Sequence, residues 1–348
     1  MNSLFLEFRD PLFSVIIFFT LIFIITFFSY WWGKFKSKED SKHLDKFLRQ
    51  FHALPSQDEL KTLIGKGDVS EKSWLLLANA YYKNGDYEKS IDIYSELVRV
   101  GEYHNRRDTM FLLGKTYFRA GFLGRSKEVF LEILKNNPRT PQALKYLLLV
   151  YEYMREYTSA IDVLEPLDEL RNDIQKDSVY LKLLSLLHNA KLSDDEKSAS
   201  MLEIYHAHKL LTHMVFEYLF RVNPQLAWQN LELEKVEEIS DILWSLDKEV
   251  LDFDIIAKDK YLQELFSARG DVELAESSSV FEFDVLINVD SKVNATLAFE
   301  YICDDCKQVY PFGFNRCGSC HSIDTATIEF ELIKDYHKDF SEENNSFQ

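Results

Sequence analysis

The chain has 348 residues, with 46% hydrophobic and 28% charged, enough for a folded core and too apolar for a disordered protein. Its formal net charge is −17, and residues 231–300 alone hold 18 acids against 6 bases, so a phosphate backbone would be repelled and nucleic acid is excluded as the expected partner. Eleven glycines and seven prolines are few, which points to a mainly α protein.

In chain order, residues 1–10 form a short N-terminus holding Glu7, Arg9 and Asp10. Residues 11–32 are expected to be a transmembrane helix. The run from Leu12 to Trp32 has no charged residue, and at about 1.5 Å per residue it spans roughly 30 Å, the hydrocarbon thickness of a bilayer. Tyr30, Trp31 and Trp32 sit at its end, where amphipathic aromatics favour the interface. Residues 33–55 form a basic juxtamembrane linker with Lys34, Lys36, Lys38, Lys42, Lys46 and Arg49. That bias orients everything after residue 33 toward the cytoplasm, the N-terminus lying outside. A cleaved signal peptide would need a basic leader, a shorter apolar run and a small-residue cleavage site, and the segment has none of them. Residues 41–52 and 57–65 read as a cap helix or partial repeat.

Residues 56–275 carry helical repeats. Starts at Glu71, Arg107 and Pro141 lie 36 and 34 residues apart. Repeat positions 4, 7, 8 and 11 are Trp74, Leu77, Ala78 and Tyr81, then Met110, Leu113, Gly114 and Tyr117, then Leu144, Leu147, Leu148 and Tyr151. This spacing gives one apolar helix stripe, with a small residue where a second helix comes close. Gly85 and Gly121 mark the turns. Pro166 is expected to shorten the second helix of the third repeat. A helix pair cannot close a core alone, so pairs must stack as a superhelix. Beyond Asp177 the pattern decays, and 177–270 reads as two or three degenerate helix pairs, with 225–246 and 247–268 still helical. His206, His208 and His213 read as structural or surface residues, because no acidic motif completes a metal site. The same region shows no Ser/His/Asp, HExxH, P-loop or GxGxxG pattern, so no enzyme is expected.

Residues 276–335 change period. FEFDVLINV (281–289), VNATLAFEY (293–301) and Thr327–Ile333 alternate apolar and polar residues, which predicts three strands, with a turn at Asp290-Ser291-Lys292. Set among them are Cys303-x2-Cys306-x10-Cys317-x2-Cys320. Two such knuckles place four thiolates at the corners of a tetrahedron, the donor set of one metal ion, zinc first and iron as the alternative. A closed four-sulfur shell favours a structural role. His321 adjoins the last ligand and reads as a surface residue. Residues 336–348 form a tail.

The repeats WLLLANAYYKNGDYEKSIDIY and MFLLGKTYFRAGFLGRSKEVF resemble the tetratricopeptide (TPR) family. In such arrays the first helices line a concave groove. Here that would place Asn79, Tyr82, Lys83, Lys115, Phe118, Arg119 and Tyr153 on a protein-binding surface. The cysteine module is similar to rubredoxin or a zinc ribbon, although Lys307, Gly318 and His321 stand where rubredoxin knuckles carry Gly, Pro and Gly. Anchor, repeats and cysteine module together resemble the lipopolysaccharide assembly protein B family. The resemblance implies a single-pass protein of the bacterial inner membrane with its body in the cytoplasm. It implies a regulator of lipopolysaccharide synthesis that presents the deacetylase of lipid A synthesis to the membrane protease FtsH. Partners would then be proteins, met through the groove and the membrane helix. The alternative is an anchored, rubredoxin-like iron protein for electron transfer.

Overall fold

The computed structural model describes residues 18–28, 57–66, 70–100, 103–170, 173–273, 277–288 and 295–334. Residues 1–10, the basic linker 33–55, the expected turn at 290–292 and the tail 336–348 lie outside the described residues, as do parts of 11–32. Residues 18–28 are helical with every side chain exposed. Among the described residues no helix is long and apolar enough to cross a membrane. The chain divides into two compact units, Met1–Met154 and Arg155–Gln348.

In the first unit, helices α1 (Gln57–Lys66), α2 (Glu71–Lys83), α3 (Tyr87–Val100), α4 (Tyr103–Arg119), α5 (Leu123–Asn136) and α6 (Pro141–Tyr153) follow one another. Ser70 caps α2 by accepting from the Ser73 N–H, which satisfies one of the free donors at the helix start. The expected stripe is inward: Trp74, Leu77 and Ala78 are buried on α2, against Ile91, Tyr94 and Leu97 on α3. Gly85 and Gly121 both take left-handed φ, +82° and +80°, at equivalent turn positions. Gly114 explains the small residue at repeat position 8. A Cβ there would stand 2.9 Å from Phe130 Cζ and 3.2 Å from Val129 Cγ1, so α5 lies directly on the α4 backbone. Ser126 Oγ donates to the Gly114 carbonyl at 2.9 Å and fixes that approach.

The second unit opens with α7 (Tyr157–Asp162) and α8 (Leu164–Glu169), one helix interrupted at Val163. Pro166 falls in the first turn of α8, where its missing N–H costs little, and this is how it breaks the helix. Longer helices follow: α9 (Gln175–Leu187), α10 (Asp194–His208) with a Ser193/Glu196 capping box, and α11 (Thr212–Val222). Beyond them the expected regular pairs are replaced by shorter pieces: α12 (Pro224–Asn230), a 3-10 turn at Leu233–Ile239, α13 (Ser240–Ser245), a second 3-10 turn at Lys248–Val250, α14 (Phe253–Ile256) and α15 (Lys260–Arg269). Asn223, Asp252 and Asp259 cap α12, α14 and α15, each stopping and restarting the chain.

One strand expectation is overturned. Phe281–Asn288 forms a helix, α16. Ser278 Oγ accepts from the Val280 N–H, and Glu282 and Asp284 lie in the first turn, where acids favour the helix dipole. The buried Glu264 carboxylate accepts from both Ser278 and Ser279 and anchors the approach to that helix. Phe283 is fully buried, its ring tilted against Phe330 with 5.1 Å between centroids. The Ser278 turn, the Glu264 anchor and the buried Phe283 therefore outweigh a period-2 pattern nine residues long.

The other two strands form. β1 (Ala295–Cys303) pairs antiparallel with β3 (Ala326–Lys334), Phe299 opposite Phe330 and Cys303 opposite Ala326. A two-residue strand, β2 (Val309–Tyr310), pairs with the other side of β1, giving the order β2-β1-β3. Leu297 and Ile323 are buried in the same core as Val179, Met214 and Leu265, so sheet and helices of this unit share one hydrophobic interior.

Candidate metal centre

Cys303 ends β1, and Cys306 follows in the turn that leads to β2. Cys317 and Cys320 lie on the second turn, between β2 and β3. Each knuckle is closed by backbone: the Lys307 N–H donates to the Cys303 carbonyl at 2.8 Å, and the His321 N–H to the Cys317 carbonyl at 2.9 Å. Lys307 and His321 take left-handed φ, +58° and +66°. Those are the two positions where the sequence departs from glycine, so the knuckle is kept and the side chains bear the strain.

The four sulfur atoms all lie within 4.8 Å of one another. Cys303 Sγ to Cys320 Sγ and Cys306 Sγ to Cys317 Sγ are each 3.6 Å. Metal–sulfur bonds of ~2.3 Å at tetrahedral angles require sulfur–sulfur edges of about 3.8 Å, so the cluster fits one four-coordinate ion. No disulfide joins these cysteines; Cys303 and Cys317 are buried, Cys306 and Cys320 exposed.

Donors around the sulfurs explain how thiolates are held. Burial raises the Cys317 thiol, but the N–H groups of Cys320 and Ser319 and the Tyr310 hydroxyl outweigh it and bring it down to about 6. Cys303 is likewise raised by burial and lowered further by Thr325 and two backbone N–H groups. Cys306 receives the Gln308 N–H, yet burial and the three neighbouring sulfurs push it up to about 12. A bound cation removes that mutual repulsion, which is the electrostatic reason for four thiolates to share one ion. The hydroxyls of Tyr310, Thr325 and Ser322 were not legible as sulfur partners, because a hydroxyl's direction depends on folded geometry.

The module is locked to the helices of its own unit. Arg316, one residue before Cys317, donates to Asp177 Oδ1 at 2.9 Å and to the His321 carbonyl at 2.9 Å, and lies over the Tyr180 ring. Lys176 Nζ reaches the Ile323 carbonyl at 3.2 Å, and the Leu211 N–H donates to Asp324 at 3.1 Å. Deeper in, Asp241 Oδ2 lies 2.8 Å from His213 Nε2 and accepts from Tyr301 at 2.6 Å. Burial disfavours the charged His213 imidazole, but the Asp241 carboxylate, with Glu217, raises it above its ordinary value. Asp241 is raised by burial and pulled lower still by His213 and Tyr301. His213 is thus a structural partner of the module, whereas His206 and His208 are exposed.

The candidate groove residues lie in the first unit on α2, α4 and α6. Asn79, Lys83, Arg119 and Tyr153 are exposed, and Tyr82 and Lys115 half-buried. Lys115 Nζ lies 5.3 Å from the centre of the Tyr82 ring. Burial and then the neighbouring Arg119 lower the Lys115 ammonium. Phe118 differs from the expectation of a contact residue: it is buried, meeting Tyr146 and Tyr153 edge-on. Beside the α4 end of this surface opens a cleft of about 580 Å³ whose lining includes Arg107, Phe111, Arg139 and Gln142. Arg107, Phe111 and Lys115 follow at intervals of four on α4, so cleft and groove share one helix face.

Comparison with known proteins supports the repeats. The tetratricopeptide-repeat family model matches residues 71–100. Lipopolysaccharide assembly protein B of Escherichia coli K12 is 29% identical over 163 residues, 46% of this chain and 38% of the relative. The chain carries TPR-type repeats and is similar to lipopolysaccharide assembly protein B. Aligned with well under half the length of that relative, it also matches the photosystem I assembly protein Ycf3 of Prochlorococcus marinus at 26% identity over 116 residues, 32% of this chain and 66% of that protein. Among solved structures, a MamA RS-1 double mutant is 16% identical over 57% of this chain and 95% of its own, at a TM-score of 0.33. A thermophilic TPR protein of Thermus thermophilus is 16% identical over 56% and 98%, at 0.29.

Proposed function

We propose that the protein is a non-enzymatic, membrane-tethered adaptor that holds a protein client on the concave face of its repeats. The observation that carries the reading is the α2–α4–α6 surface, with its cation–aromatic pair Lys115–Tyr82 and the adjoining Arg107–Arg139 cleft. Lys83, Lys115, Arg119, Arg107 and Arg139 lie on this surface and its cleft beside Asp108, so it suits an acidic client segment. Tethering would raise the client's effective concentration beside a membrane partner without any new contact. Similarity to lipopolysaccharide assembly protein B supports a role in envelope synthesis. On this reading the site of action is the bacterial inner membrane, the lipid A deacetylase is the client and FtsH is the protease it meets. The segment 11–32 would be the anchor. The comparisons do not favour the iron electron-carrier alternative.

Cys303, Cys306, Cys317 and Cys320 would hold one zinc ion, which supplies a cross-link between the two turns of the module. Arg316, Lys176 and the Asp241 cluster then transmit that order to the helices.

A photo-cross-linker placed at Tyr153, which is 55% exposed, tests the adaptor reading in intact membranes. Recovery of a membrane protease or an envelope-synthesis enzyme is the expected result. Recovery of neither, with the chain correctly inserted, would defeat the assignment.

A further inference from the structure

The four sulfurs are not equivalent. Three have a side-chain hydroxyl within reach: Thr325 Oγ1 at 3.4 Å from Cys303, Tyr310 Oη at 3.3 Å from Cys317, and Ser322 Oγ at 3.2 Å from Cys320. Cys303 and Cys317 are also fully buried, so reagents cannot reach them from solvent. Cys306 is exposed, and among the described residues no hydroxyl approaches its sulfur; its donor is the Gln308 backbone N–H. A hydrogen bond to a thiolate withdraws charge from sulfur and lowers its nucleophilicity, while access sets the encounter rate. In a metal-loaded centre, where every sulfur is already a thiolate, access leaves Cys306 and Cys320, and the Ser322 hydroxyl on Cys320 separates them in favour of Cys306.

We propose that Cys306 is the sulfur through which the loaded centre reacts with peroxides and other soft electrophiles, with Cys317 as its resolving partner. This rests on the four cysteines holding a metal ion. The Cys306 thiolate attacks one peroxide oxygen, the O–O bond breaks, and a sulfenic acid forms as hydroxide leaves. Cys317 Sγ, 3.6 Å away, then attacks the sulfenic sulfur; a disulfide forms and a second hydroxide leaves. Two thiolates lose two electrons to one peroxide, and two protons from the buffer acid turn both hydroxides into water. Cys303 and Cys320 alone cannot complete a four-sulfur shell, so the ion is released. Because Arg316 adjoins Cys317 and bonds Asp177, this oxidation would loosen the module where it meets the helices.

The test uses the full chain, its zinc content measured first. A chain that binds no metal overturns the metal reading, and this proposal with it. On zinc-loaded protein, limiting N-ethylmaleimide followed by peptide mapping should label Cys306 about tenfold ahead of Cys320, the other exposed sulfur. Hydrogen peroxide should release zinc as a Cys306–Cys317 disulfide appears. In Ser322→Ala, Cys320 loses its hydroxyl donor, and its labelling should rise to about that of Cys306. Equal or faster labelling of Cys320 in the native chain, or a disulfide joining another pair, would overturn the proposal while leaving zinc binding intact.

Discussion

Asp241→Asn isolates the polar cluster that ties the sheet to the helices. The substitution keeps the shape and an acceptor for Tyr301 but removes the charge that His213 faces. Side-chain exposures of 25% for His213 and 11% for Asp241 leave this pair weakly screened. A hydrogen bond to a charged group contributes roughly 1.5–3 kcal/mol, so the variant should lose about 2 kcal/mol when His213 is protonated. For a unit of this size that lowers the melting temperature by roughly 4–8 °C. The pH dependence gives the sharper test. His213 is raised above 6.5, so its contribution is complete below that value and is lost as pH rises through the folded value, above 6.5. Asp241 is lowered below 3.8, so its contribution persists above 3.8 and is lost only as pH falls through its folded value. Wild type and variant, both zinc-loaded, should therefore differ most near pH 6 and converge at alkaline pH. Melting curves that keep a constant gap, or a gap that widens with pH, would refute the ion-pair account.

Gly114→Val should cost about 2–3 kcal/mol by thermal denaturation, since even a Cβ stands 2.9 Å from Phe130. Gly124→Ala, with nothing within 4 Å of the added carbon, should be neutral or gain up to about 1 kcal/mol. Chelation of the metal, or Cys303→Ser, should open 295–334 to limited proteolysis while 71–153 stays resistant, because the repeats have their own core. Lys115→Glu combined with Arg119→Glu should abolish salt-sensitive client cross-linking without moving the melting temperature by more than a degree or two.

The repeats were legible because their signal is redundant. Stripe, small residue and turn glycine recur with one pitch, and a positive φ recurs even at Arg155, where the third repeat has no glycine. The cysteines were legible because metal chemistry fixes their spacing. Phe281–Asn288 was not legible as a helix, because a nine-residue alternation is also compatible with one helical face through Phe283 and Leu286, and the contacts with Glu264 and Phe330 that favour the helix depend on the fold. β2 was missed because two residues carry no period, and Tyr310 is held by pairing with Tyr301. The partition of 223–270 into short helices follows from Asn and Asp caps that sit inside an otherwise helical composition.

The module's dependence on metal follows from how little of it closes on itself. Leu297 is buried in the core shared with α11 and α13, Tyr301 donates to Asp241 of α13, and Phe299 and Phe330 complete a layer with Phe283 of α16. The inward face of the sheet is thus stabilised by helices, but the two turns carrying the cysteines lie beyond that layer, with Val309, Phe312, Cys306 and Cys320 exposed. Hydrophobic burial cannot hold those turns, and their knuckles contain two non-glycine residues at positive φ. A cross-link through four sulfurs can hold them, and it fixes Arg316 and Asp324 against α9 and the α10–α11 turn. Loss of the ion should therefore act first on the turns and the polar contacts with the helices, and only later on the β1–β3 pairing.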